Sequence, residues 1–103
     1  MKKVVTIDRR AEKELVRFPI EVQKEFKSLI YTLKNEGRLS LPDGKKIGNN
    51  LFEIRIRVNG VYRGLYAYIS SDGIMVLHFF QKKSQKTPIK SLKIARKRFK
   101  EYE

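Results

Sequence analysis

Two hydrophobic periods divide the chain. Between Asp8 and Gly37 apolar residues return every three or four positions: Ala11, Leu15 and Phe18, then Val22, Phe26, Leu29, Ile30 and Leu33. That is the spacing of one face of a helix. Pro19 interrupts the stripe, and proline is tolerated in a helix's first turn because the amide it lacks would be unpaired there anyway. The pattern predicts two helices joined by a tight turn, over residues 8–17 and 19–36. Asp8 is a good N-cap for the first, and Gly37 is placed to end the second. Ahead of them Val4, Val5 and Ile7 predict a short strand.

From Leu51 the period drops to two. Phe52, Ile54, Ile56 and Val58 alternate with Glu53, Arg55, Arg57 and Asn59, which predicts a strand with one buried and one charged face. Asn59-Gly60 carries hairpin-turn chemistry. Val61 to Ile69 is then the return strand, Ser70 to Gly73 a second turn, and Ile74 to Phe80 a third strand. Residues 38–50, with Pro42, Asp43, Gly44, Gly48, Asn49 and Asn50, read as loop. Thr87-Pro88 reads as the N-cap and first residue of a last helix, whose stripe is Ile89, Leu92, Ala95 or Arg96, Phe99 and Tyr102. The expected order is β-α-α-β-β-β-α. The fold class is α+β: an N-terminal helical hairpin packed on a small antiparallel sheet, with a C-terminal helix. At 103 residues the chain is read as one domain, 1–103, built on one core. The first strand joins the sheet at a position that period alone does not give.

Charge adds a partner to this picture. Lys and Arg number 24 against 11 Asp and Glu, for a net charge of +13. The excess is uneven: between Gly73 and Lys100 there are nine basic residues and no acidic one. A solvated surface usually mixes both signs, so the one-sided stretch points to a polyanion: RNA, DNA, an anionic membrane or an acidic protein. The absence of Cys excludes disulfides, a thiol nucleophile and a thiolate metal site. The single His excludes a multi-histidine metal centre. No metal and no cofactor is expected. The apolar run near the N-terminus is too short for a signal peptide, and no stretch approaches the roughly 20 apolar residues of a membrane span. A cytoplasmic protein with no membrane partner is the expectation.

The candidate chemistry lies on the strands and the loop after them. Arg55 and Arg57 are two apart, so their side chains leave one face of a strand, and Arg63 lies just across the hairpin. Arginine binds phosphate bidentately and stays charged. The alternative is an ordinary solvated face with Glu53 as partner. The segment Gln81-Lys82-Lys83-Ser84-Gln85-Lys86-Thr87 is a basic loop running into a helix N-terminus, which is either an anion site or a basic surface loop. His78 is the chain's one histidine, the side-chain type suited to proton transfer near neutral pH. Period places it on the strand face of Val76 and Phe80, so a packed structural histidine competes with a catalytic one. Of the aromatics Tyr62, Tyr66, Tyr68, Phe79 and Phe80, most belong to the core, while one or two near the arginines could stack bases. The basic side of the last helix, Lys90, Lys93, Arg96, Lys97, Arg98 and Lys100, is a phosphate contact, a solvated face or a surface for an acidic protein.

These pieces occur in a recognisable order. Leu51-Phe-Glu-Ile-Arg-Ile-Arg, Val61-Tyr-Arg-Gly-Leu-Tyr, Leu77-His-Phe-Phe-Gln-Lys-Lys-Ser-Gln-Lys-Thr-Pro and Ala95-Arg-Lys-Arg resemble the RelE/HigB toxins of bacterial type II toxin–antitoxin systems, and among them the HigB-like, phage-related branch. The resemblance implies a compact microbial-ribonuclease-like fold and mRNA cleavage in the ribosomal A site, which arrests translation. It also implies a cognate antitoxin, often a helix-turn-helix protein, through which alone operator DNA would be contacted. By the resemblance Arg55 and Arg57 fall on phosphate-contacting positions, Arg63 on an arginine that stabilises the transition state, and Lys83 on a basic residue tied to catalysis. Gln85, Lys86, Lys82 and Tyr62 join the RNA-binding set. Some relatives place a tyrosine in or just before the final helix, whereas Gln85 to Ile89 contains none.

Metal-free RNA cleavage uses the substrate's 2′-OH as nucleophile. The protein must stabilise the pentacoordinate phosphate, which suits Arg55, Arg57 and Arg63, and move protons, for which His78, Lys83, Lys82 and Glu53 are the candidates. The expected catalytic set is Arg63, Lys83, His78 and Arg55. A ParE-like poison of DNA gyrase and a non-catalytic RNA-binding module are the competing expectations.

Overall fold

The computed structural model describes residues 2–83 and 86–103. Its elements are β1 (Val4–Ile7), α1 (Arg9–Leu15), α2 (Ile20–Glu36), β2 (Gly44–Gly48), β3 (Leu51–Arg57), β4 (Val61–Tyr68), β5 (Gly73–Lys82) and α3 (Ile89–Lys100). The helical hairpin forms where its periodicity placed it. The Asp8 carboxylate accepts the backbone N–H groups of Arg10 (2.8 Å) and Ala11 (3.3 Å), which have no partner inside the helix. Gly37 closes α2 in the left-handed region at φ 80°, donating its N–H to Leu33 O at 2.8 Å.

The five strands form one sheet in the order β1-β5-β4-β3-β2. The sheet is mixed: β1 runs parallel to β5, and the other pairs are antiparallel. The expected α+β class therefore holds, with one strand more than periodicity gave. That strand is β2, inside the stretch read as loop. Its sequence Gly-Lys-Lys-Ile-Gly has no alternating apolar face, and it is held by backbone pairing to β3. Residue Asn50 makes the return at φ 48°. Its side-chain amide replaces a ladder step, donating to Tyr68 O (2.8 Å) and accepting from Tyr68 N–H (3.0 Å).

Each face of the sheet has its own core. On one, Ala11, Leu15, Val22, Phe26 and Leu33 pack against Ile54, Ile56, Tyr62, Tyr66, Ile74, Val76 and Phe79. On the other, α3 lays Ala95 against Leu51, Leu65, Ala67, Met75 and Leu77. A bulge decides which residues of β5 face which layer. Tyr66 pairs with Val76 but Leu65 pairs with His78, so Leu77 is an extra residue. Side chains alternate on a strand, and one extra residue reverses that alternation. Val76 thus packs under the helical hairpin, while His78 stacks on Phe80, ring centroids 5.4 Å apart, under α3. The shared face expected for Val76 and His78 is corrected by this slip.

The last helix also starts one residue later than read. Pro88, not Thr87, is its N-cap, and no side chain caps it. The Thr87 hydroxyl donates instead to Glu53 Oε2 at 3.2 Å. At its other end α3 is fastened to α1: Tyr102 Oη donates to Asp8 Oδ2 at 2.6 Å, and Arg10 bridges Asp8 and Glu101.

Candidate nucleic-acid interface

The β3–β4 hairpin puts Arg55 directly opposite Arg63, and Arg63 opposite Phe80 of β5. One step further, Arg57 faces Val61, which faces Lys82. Cross-strand neighbours share a face. Arg55, Arg57, Arg63 and Lys82 therefore stand together on the α3 side of the sheet, at the end where its strands meet the loop leading to that helix.

Like charges facing across a ladder repel. Glu53 offsets part of this. Its buried carboxylate has Oε1 at 3.6 Å from both Arg55 Nε and Arg63 Nε. These are ion pairs too long to be hydrogen bonds. Arg63 is only 4% exposed, yet its one hydrogen bond among the described residues runs from Nη1 to Tyr62 O, at 3.0 Å. Its Nε is buried with no acceptor. A buried donor left unpaired costs about 1–3 kcal/mol, and such a site favours an incoming anion. Burial lowers the Arg63 pKa, Glu53 opposes, and Arg55 and Arg57 push in the same direction as burial. Lys82 is lowered by burial first, then by Arg63, with Arg55 and Lys45 adding and Glu53 opposing. A lysine among cations sheds its proton more readily than a free one.

The other expected site residues lie elsewhere. Lys83 follows the last residue of β5 and is exposed, as is Lys86. Gln85 lies outside the described residues. Tyr62 belongs to the helical-hairpin core, its ring 5.0 Å from Phe18, and so points to the opposite face from the arginines. His78 shares the arginine face but is two residues further along the strand, under α3. Its Nδ1 lies 2.9 Å from Glu14 Oε1 and its Nε2 3.2 Å from Ser91 Oγ. Glu14 also accepts from Phe79 N–H (3.1 Å) and from both terminal nitrogens of Arg98 (3.1 and 3.0 Å). Burial raises the Glu14 pKa, but the bonds from His78, Arg98 and Phe79 outweigh it and hold the carboxyl at about 2.

An open cleft of about 320 Å³ runs beside the arginines, lined by Pro42, Asp43, Arg55, Ile56, Arg57 and Arg63. Pro42 and Asp43 carried only turn chemistry in the sequence. Nothing local signals that β2 brings them to the arginines. Among the described residues no group of three or more His, Asp or Glu converges as a metal site, and no helix is long and apolar enough to cross a membrane.

The family model of the phage-derived Gp49-like proteins matches residues 13–100. The chain belongs to the Gp49-like family. No curated protein matches it. Two solved structures share the fold of this Gp49-like chain. One is an arginine-to-alanine double mutant of the E. coli toxin RelE in the free state, with TM-score 0.74 and 19% identity, covering 95% of this chain and 98% of that one. The other is the toxin–antitoxin complex RelBE2 from Mycobacterium tuberculosis, with TM-score 0.62 and 18% identity, covering 80% of this chain and 100% of the matched chain. The Gp49-like chain thus has the RelE fold, as its hairpin and basic-loop motifs led one to expect.

Proposed function

We propose that this Gp49-like chain is the toxin of a toxin–antitoxin pair and an endoribonuclease that cuts mRNA in the ribosomal A site. The observation that supports this most is Arg63: a guanidinium buried against Glu53, its Nε unpaired, with Arg55 opposite and Lys82 at the same end. A phosphodiester oxygen supplies the acceptor that Arg63 lacks. In the proposed reaction the substrate's 2′-oxygen bonds to the adjacent phosphorus, its proton leaves to solvent, and the bond to the 5′-oxygen breaks. Arg63 and Arg55 hold the charge that grows on the equatorial oxygens. Lys82, with its lowered pKa, donates the proton to the departing 5′-oxygen. Arg57, Lys83 and Lys86 contact the flanking backbone. His78 serves as a positioning residue that fixes α3 over the sheet.

The decisive experiment maps RNA ends after brief expression. New ends at codon boundaries in translated mRNA, carrying 2′,3′-cyclic phosphate, are expected from the wild type and not from Arg63→Ala. Growth arrest with DNA breaks would overturn the reading in favour of a gyrase poison. RNA binding without new ends would favour a non-catalytic binder.

The partner proposed for α3 is an antitoxin with an acidic amphipathic segment, of helix-turn-helix type, which would carry the pair to operator DNA. Ile89, 71% exposed, and the half-buried Leu92 line a groove along α3 with Lys93, Arg96, Lys97 and Lys100. Apolar anchors inside a one-sign rim favour such a segment over bare RNA backbone. Replacing Lys93, Lys97 and Lys100 by Glu should leave toxicity intact and abolish neutralisation by a co-expressed antitoxin.

A further inference from the structure

Phosphate binding does not account for one wall of the cleft beside the arginines. Asp43 is exposed there, and among the described residues its carboxylate has no hydrogen-bond or ion-pair partner. A free carboxylate repels a phosphate, so it does not serve the anion that the arginines attract. It is well suited to accept N–H donors.

The wall is built to stay in place. Asp43 and Gly44 both donate their N–H groups to Ser40 O, at 2.9 and 3.0 Å, and Asp43 O accepts from Arg55 N–H at 2.8 Å. A Cβ on Gly44 would come within 2.5 Å of Leu39 Cβ, so the turn closes tightly against its own entry. Asp43 is therefore indexed to the strand that carries Arg55. Pro42 adds a flat apolar ring to the lining, and Leu41 beside it is 68% exposed. The cleft's volume of about 320 Å³ falls within the range of about 300–1,000 Å³ found for small-ligand sites.

We propose that Pro42 and Asp43 form a base-reading subsite beside the phosphate site, selective for guanine. A carboxylate offers two parallel acceptor oxygens. Guanine presents two adjacent donors, its ring N–H and its exocyclic amine. Adenine and cytosine pair one amine with a bare ring nitrogen that repels a carboxylate. Uracil flanks its single N–H with two carbonyl oxygens. The order of preference is guanine first and uracil last, with Pro42 packing on the base as apolar side chains do in single-stranded RNA recognition. This rests on the arginines holding the nucleotide's phosphate, but not on cleavage.

The test is a titration of ¹⁵N-labelled protein with each of the four nucleoside 3′-monophosphates. The wild type should bind guanosine 3′-monophosphate about tenfold tighter than the uridine compound, with the largest amide shifts at Asp43 and Arg55. Asp43→Ala and Asp43→Asn should bind all four within a factor of about two of the uridine value, with amide spectra otherwise unchanged. Equal affinities in the wild type, a preference that survives both substitutions, or no binding of any nucleotide would overturn the proposal. The readout is binding, so base selection without mRNA cleavage would sink the ribonuclease reading and keep this subsite. Cleavage with equal affinities would do the reverse.

Discussion

Arg63 faces Arg55 squarely across the β3–β4 ladder, and the acid that pairs with both, Glu53, stays 3.6 Å from each. Both gaps are longer than a hydrogen bond, so neither guanidinium closes on its counter-ion. Such an arrangement favours a ligand more than it favours the fold.

That balance predicts a paired effect. Arg63→Met removes a buried cation and its unpaired Nε, but it strips the buried Glu53 carboxylate of one of its two guanidinium partners. Taking one partner from a buried ion pair destabilises, because the other charge stays buried, whereas replacing both partners is often neutral or stabilising. The melting temperature should fall in Arg63→Met and recover in Arg63→Met/Glu53→Gln, while cleavage is down about 10²-fold or more in both. Calorimetry beside an mRNA-cleavage assay checks both halves, and a double variant no more stable than the single one would refute the first.

The two lysines at the end of β5 should separate cleanly. Alternation puts Lys82 on the arginine face, where burial and Arg63 lower its pKa, and leaves Lys83 exposed beyond the strand. Lys82→Met is expected to lower the single-turnover rate by about 10²–10⁴-fold, and Lys83→Met to change it only a few-fold through weaker RNA binding. In the wild type the rate should fall on the alkaline side, as pH rises through the lowered Lys82 pKa and the proton donor is lost.

Acid should unfold the protein through Glu14. Its carboxyl sits at about 2 in the folded chain, against an ordinary value of 4.5. Between those values the unfolded chain binds the extra proton, so stability is complete above pH 4.5 and is lost as pH falls toward 2. The linkage is worth up to about 3 kcal/mol. Urea melts from pH 7 to pH 2 should show this slope in the wild type. Glu14→Gln should be less stable at pH 7 and flatter in acid.

Gly64 should resist any side chain. It lies between Ile54 and Phe79 in the ladder, and a Cβ there would come within 2.9 Å of the Phe79 ring. That ring cannot swing freely because Phe26 abuts it edge-on at 4.8 Å. Gly64→Ala should lose about 1–3 kcal/mol in chemical denaturation.

The sequence by itself determined the local elements and the place of the hairpin turn. Helix and strand periods are local properties of the chain, and Asn59-Gly60 marks where it reverses, but the loop takes in Val58 as well, so that Arg57 pairs with Val61 and Arg55 with Arg63. Asn59 takes φ 50° and Gly60 φ 146°, conformations that these residue types accept. That Arg55 and Arg57 share a face was legible from the period of two, and that Arg63 joins them rests on the three-residue loop, since a slip of one residue would turn it to the other face. What only the tertiary structure decided hangs on backbone pairing and on single-residue slips, which leave no hydrophobic pattern. β2 is held by main-chain bonds, so its strand, and the delivery of Asp43 to the cleft, were invisible. The bulge at Leu77 turned His78 toward Ser91 and Glu14 instead of the face of Val76. The burial of Arg63, from which its unpaired Nε follows, depends on the packing of strands and helix that no local window contains.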